Sequence, residues 1–244
     1  MKILLETIPV WDALKENAEC LICTLMKKAE EDSVSYYLSS AIMTPEVRVK
    51  TNTYGFCPHH SALLTERGSA QSLALVMDTY YGENENCFRK GFEEIAKAKN
   101  PRQAEKAAEK LREKAEEREK GCLICSGMSD RLYRYAFTLS SLFDSDEDFR
   151  KAFLSSKGLC LHHTFAVSHT SKDVLSGESY TTFQKELFSL LERNLERVRK
   201  DDWWMTQKYK SENSDKPWNG CEDAHRRAVF KLIGEGRVID PVTK

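Results

Sequence analysis

Residues 19–24 read Glu-Cys-Leu-Ile-Cys-Thr, and residues 121–126 read Gly-Cys-Leu-Ile-Cys-Ser. Two further stretches match each other as closely: Gly-Phe-Cys-Pro-His-His at 55–60 and Gly-Leu-Cys-Leu-His-His at 158–163. Counted along the chain, the first pair is offset by 102 positions and the second by 103. Two compound motifs therefore recur in the same order at nearly the same spacing. They take up six of the eight cysteines and four of the six histidines. Self-similarity at a fixed period signals repeated architecture, here a duplicated unit of about 100 residues.

The pattern around the motifs is helical. Leu21, Ile22, Leu25, Met26, Ala29, Val34, Tyr37, Leu38 and Ala41 recur at roughly helical spacing across 20–41. A second helix is expected over 59–81, ended by Gly82, and another over 86–99. Pro101 then opens a charged helix over 102–120, rich in Ala, Glu, Lys and Arg and read as a solvated connector with i,i+4 charge pairs. The second half repeats the plan over 122–142, with Ser145 as an expected N-cap of a short helix to Leu154, then 160–170, a long helix over 178–212 and a last amphipathic segment within 218–236. With only 6 prolines and 11 glycines, a turn-rich β architecture is disfavoured. The expected fold is all-α: two repeated, metal-stapled helical units followed by C-terminal helices. The expected segments are 1–100 for the first unit, 101–120 for the connecting helix, 121–212 for the second unit and 213–244 for the C-terminal helix and tail.

The chemistry lies in the cysteines. A formal net charge of −1 gives no overall attraction to nucleic acid or anionic lipid. Only Arg193 to Lys200 offers a local basic face, diluted by Glu192 and Glu196. No run of about 18 apolar residues is present, so no membrane span is expected. The N-terminal apolar run is short and interrupted by Glu6, and the protein is read as cytoplasmic. In a reducing compartment, clustered cysteines point to metal or thiol chemistry rather than to disulfides.

A Cys-x-x-Cys pair places two sulfurs on one turn, and thiolate and imidazole are the donors that closed zinc sites use. The simplest topology closes each site within one repeat: Cys20, Cys23, Cys57 and His60 in one, Cys122, Cys125, Cys160 and His163 in the other. Ligation across the repeats is the other possibility. His59 and His162 are the rivals for the fourth position, although i and i+2 face apart on a helix. Gly55 and Gly158 permit a tight backbone entry before each Cys-x-His-His. The expected cofactor is two zinc ions per chain, with an iron–sulfur cluster as the alternative on the same cysteines. Cys221 and His225 form a weaker i,i+4 pair, Cys87 reads as packing, and Trp203, Trp204 and Trp218 read as anchors for the C-terminal segments. No phosphate-cradling loop, Gly-x-Ser-x-Gly or His-Glu-x-x-His occurs, so no residue is named as catalytic. The reading is a partner-binding scaffold with structural metals; the rival is a redox protein or enzyme using the same thiols.

On the twin Cys-Leu-Ile-Cys and Gly-x-Cys-x-His-His motifs, with Pro217-Trp218 and Arg226-Arg227-Ala228 ahead of the last helix, the chain resembles a bacterial family known as domain of unknown function 6062. The resemblance spans most of the chain. It implies twin sites and a bacterial origin, and it brings no activity or catalytic residue with it.

Overall fold

A computed structural model describes residues 5–236, apart from the side chains of Cys87 and Glu119. Among the described residues there are eleven α-helices, two short 3-10 turns and no strand, which is the all-α class expected. The helices are α1 (Thr7–Lys15), α2 (Leu21–Leu38), α3 (Pro45–Tyr54), α4 (Pro58–Arg67), α5 (Ala70–Ala96), α6 (Pro101–Glu119), α7 (Leu123–Ser145), α8 (Glu147–Ser155), α9 (Leu161–Ser171), α10 (Gly177–Lys208) and α11 (Ala224–Ile233).

The chain divides into two compact units, one of Met1–Ala29 with Met128–Lys244 and the other of Glu30–Gly127. Both boundaries fall inside helices, α2 and α7. The units therefore differ from the consecutive segments 1–100, 101–120, 121–212 and 213–244 read from the sequence.

In the first unit, α10 packs against α8, α9 and α11, and α1 packs against α8. An aromatic core holds them together. Phe143 meets Phe183 edge-on at 4.8 Å, and Trp11 meets Phe149 at 5.2 Å, both within the range of favourable T-shaped pairs. The N-cap of α8 is Asp146, whose carboxylate accepts from the Asp148 and Phe149 amides; the expected Ser145 is instead the last residue of α7. An aspartate so placed satisfies two amides that the helix itself leaves unpaired. The long C-terminal helix stops at Lys208, where the ammonium donates to the Asn213 carbonyl at 2.9 Å and lies 5.5 Å from the Trp218 ring. Trp204 Nε1 donates to the Pro217 carbonyl at 3.1 Å, so Trp204 and Trp218 tie the turn after α10 to the end of that helix, whereas Trp203 is 60% exposed.

The second unit is built on α5 and α6, with α3 also against α5. Gly82 lies within α5 rather than ending it, and the expected 86–99 segment is the continuation of the same helix. The break falls earlier, at Gly68–Ser69, where the Ser69 hydroxyl caps α5 by accepting from the Ser72 amide at 3.1 Å. A lone exposed glycine costs a long helix only about 1 kcal/mol, too little to stop it. Asn100 caps α6, with Pro101 at its first position. This charged helix is not a bare connector. It packs along α5 closely enough that a Cβ at Gly91 would meet Leu111 at 2.7 Å, and it buries Ala107. Its outer face carries the expected charge pairs, with Arg112 bonded to Glu109 and Glu116.

Candidate metal centres

Four helices begin at a cysteine. Cys20 stands directly before α2, Cys57 before α4, Cys122 before α7 and Cys160 before α9. Cys57 and Cys160 are the N-caps of their helices, with extended backbones (ψ 164° and 167°). Three residues on, at the N3 position, stand Cys23, His60, Cys125 and His163. N-cap and N3 side chains share the open end of a helix, where unpaired amides point outwards and the dipole is positive. The Cys20 sulfur accepts from the Cys23 amide at 3.4 Å, and the Cys122 sulfur accepts from the Cys125 amide at 3.5 Å. Each motif is thus a thiolate-favouring helix terminus with a second donor beside it.

The termini meet in pairs. In the first unit, Cys20, Cys23, Cys160 and His163 come together; in the second unit, Cys57, His60, Cys122 and Cys125 do. Within each group the donor atoms all lie within 4.8 Å of one another, and each group could hold a metal ion. The partition differs from the simplest expectation. Cys20 and Cys23 do not group with Cys57 and His60, nor Cys122 and Cys125 with Cys160 and His163. Every Cys-x-x-Cys is matched with the Cys-x-x-His of the other half of the sequence.

Helix length supplies the reason. Between Cys20 and Cys57 the chain spends 18 residues in α2 and 10 in α3. Even if α3 ran straight back along α2, it would fall short by about 12 Å at 1.5 Å per residue. In the second half α7 has 23 residues and α8 has 9, a shortfall of about 21 Å.

Backbone pairing fixes the exchange. The Leu21 amide donates to the Gly158 carbonyl at 3.3 Å, and the Leu123 amide donates to the Gly55 carbonyl at 3.2 Å. Both glycines have positive φ, +62° at Gly55 and +70° at Gly158, which turns each carbonyl towards the opposite helix start. A side chain at Gly55 would also strike Tyr80, whose hydroxyl would lie 2.7 Å from the added Cβ.

The distances inside the two groups agree. Cys23 and Cys160 sulfurs are 3.9 Å apart, and those of Cys57 and Cys125 are 3.7 Å apart. His163 Nδ1 lies 3.3 Å from Cys23 and Cys160 and 3.5 Å from Cys20. His60 Nδ1 lies 3.3 Å from Cys57 and Cys122 and 3.4 Å from Cys125.

Electrostatics states what such a group needs. Burial pushes the Cys20 and Cys125 thiols up, and a hydrogen bond to Cys160 pushes Cys23 up to about 12. Cys160 is pulled far down by hydrogen bonds from Cys20 and Cys23. Four donors in low dielectric thus share little negative charge among themselves. A cation in their midst inverts that balance and draws the thiolate form from each sulfur.

The histidine pairs divide. His60 and His163 are buried and join the two thiol clusters, His162 joins neither, and His59 instead groups with Glu30 and His60, a third set of donors within 4.8 Å of one another. His60 presents Nδ1 to the sulfurs, while its Nε2 donates to Glu30 at 3.0 Å; His59 Nε2 lies 2.9 Å from the same carboxylate oxygen. Glu30 thereby fixes the tautomer and ring plane of His60. It was not singled out from the sequence, where it sits in an ordinary acidic run on α2. Lys231 was also missed. Fully buried, it donates to the backbone carbonyls of Glu19, Lys157 and Leu159, the segments leading into Cys20 and Cys160. Beyond it, the Glu235 amide donates to the Cys23 sulfur at 3.3 Å. Cys221 is buried and His225 exposed, and neither belongs to a cluster among the described residues. The reading of Cys87 as packing falls on a side chain outside the described set.

Among the described residues, no helix is long and apolar enough to cross a membrane. No curated protein and no solved structure matches the chain. A family model described as a family of unknown function, DUF6062, matches residues 1–238. Covering nearly the whole sequence and both pairs of motifs, that match makes the chain a member of the DUF6062 family.

Proposed function

We propose that each unit holds one zinc ion through three thiolates and one imidazole, and that the protein is an intracellular scaffold whose helical surfaces bind a protein partner. The spacing of the donors carries the metal reading. For Zn–S near 2.3 Å and Zn–N near 2.0 Å, a tetrahedron has S–S edges of about 3.8 Å and S–N edges of about 3.5 Å. The clusters have S–S separations of 3.7 and 3.9 Å and S–N separations of 3.3 to 3.5 Å. An iron–sulfur cluster would spread its ligands over several irons and so hold them farther apart. The donors lie within 4.8 Å of one another, which favours a single ion. Full coordination by protein groups favours a structural role over catalysis. The recurring motifs support descent of the two sites from one duplicated unit.

Elemental analysis of protein purified without oxygen is the test. About two zinc ions per chain are expected for two four-donor sites. Iron with matching sulfide would replace this reading with electron transfer or redox sensing, and a chain without metal would end it.

Glu30→Ala probes the geometry further. Loss of the carboxylate that orients a metal-bound histidine typically weakens binding by about 10–100-fold. Competition with a chromophoric chelator should show that loss for one of the two ions, with the other unchanged. Equal weakening of both, or of neither, would refute the role assigned to Glu30.

A further inference from the structure

The two clusters share a donor set but not a cover. In the first unit all four donors are buried, with Cys20 and Cys23 each 3% exposed and Cys160 fully enclosed. The segment after α11 closes over the Cys23 sulfur through the Glu235 amide, and Lys231 ties down the backbone entering Cys20 and Cys160. By motif position, Cys125 is to the second cluster what Cys23 is to the first. Cys125 is partly exposed. The partners given for its sulfur, Cys57, Cys122 and His60, all belong to its own site. The C-terminal segment thus removes the equivalence of two centres with matching donor sets.

We propose that Cys125 is a modification site, the point at which a small-molecule disulfide opens the second centre while the first stays closed. This rests on the metal reading above. The Cys125 thiolate attacks one sulfur of R–S–S–R, forming Cys125–S–S–R and releasing R–S⁻. The Cys57 sulfur, 3.7 Å from that of Cys125, then attacks the Cys125 sulfur. A Cys57–Cys125 disulfide forms and a second R–S⁻ leaves. The two cysteine thiolates lose two electrons, which reduce the disulfide reagent to two thiolates. Cys122 and His60 alone remain as donors, too few to retain the ion. Attack at the first centre would require α11 and the segment after it to open first, whereas attack at Cys125 would not.

Oxidised glutathione added to the full-length, metal-loaded chain tests this. A chromophoric chelator should record one metal equivalent released on the order of tenfold faster than the other, because only the buried centre must open locally. Peptide mass spectrometry should find Cys125 the first of the six cluster thiols to be modified. A chain ending at Ile233, which keeps α11 but loses the amide over Cys23, should bring Cys23 forward in that order. Simultaneous release of both ions, or modification of Cys20, Cys23 or Cys160 as early as Cys125, overturns the proposal. If the chain binds no metal, the metal reading fails by itself. The order of thiol modification then still decides whether Cys125 is the open one.

Discussion

A chain carrying both Cys20→Ala and Cys160→Ala is expected to retain one of its two metal ions, and a chain carrying both Cys20→Ala and Cys57→Ala to retain neither. The first pair of substitutions falls in one cluster and the second pair in both. Ligation within each half of the sequence would give the opposite outcome, so metal per chain after gel filtration separates the two topologies without a structure. Stability should follow the same logic. Substitutions sharing a centre are strongly non-additive, since the second finds the ion already lost, and those in separate centres should add. Cys221→Ala, outside both clusters, serves as the control and should leave both ions in place. A Cys20/Cys160 variant without metal, beside a Cys20/Cys57 variant with one ion, would refute the exchanged pairing.

That exchange marks the limit of what the sequence could reveal. The Cys-x-x-Cys and Cys-x-x-His spacings already contain the local geometry, because an N-cap and its N3 residue meet at any helix start. They also favour His60 and His163 over their neighbours, since the N2 positions of His59 and His162 turn away. Which helix start meets which is a tertiary property. It depends on α3 and α8 being too short to retrace α2 and α7, and neither α3 nor the start of α5 was legible. Thr44-Pro45 begins α3 within a stretch without strong apolar periodicity. Gly82, a plausible stop in sequence, lies on an open face where nothing within 4 Å would oppose a side chain. Glu30 and Lys231 escaped notice for a related reason. Each is ordinary for its helix, and only the fold brings the one to His60 and the other beneath the entry to Cys20.

Removal of metal by a strong chelator should unfold the second unit before the first. Structural zinc sites contribute apparent free energies of about 10–16 kcal/mol in small domains, comparable to the whole stability of about 5–15 kcal/mol of an ordinary domain. What remains after chelation is therefore set by the apolar core. The first unit has a substantial one, with Phe143, Phe149, Phe153 and Phe183 buried among the leucines of α7 and α10. Within 30–127, apart from its thiols, the buried apolar side chains are Val34, Ile42, Leu64, Val76, Ala107 and Ile124. Six such residues cannot offset the conformational entropy of a segment that long at about 1–2 kcal/mol per ordered residue. Hydrogen exchange read by mass spectrometry should show peptides from α3 to α6 losing protection on chelation, while those from α8 to α10 keep most of theirs. Helical circular dichroism should fall in proportion to the second unit alone. Equal loss of protection in both units would mean that the aromatic core cannot stand without its metal. Unchanged protection in α3 to α6 would mean that packing along α5 and α6 holds that unit together and that its cysteines are not a staple.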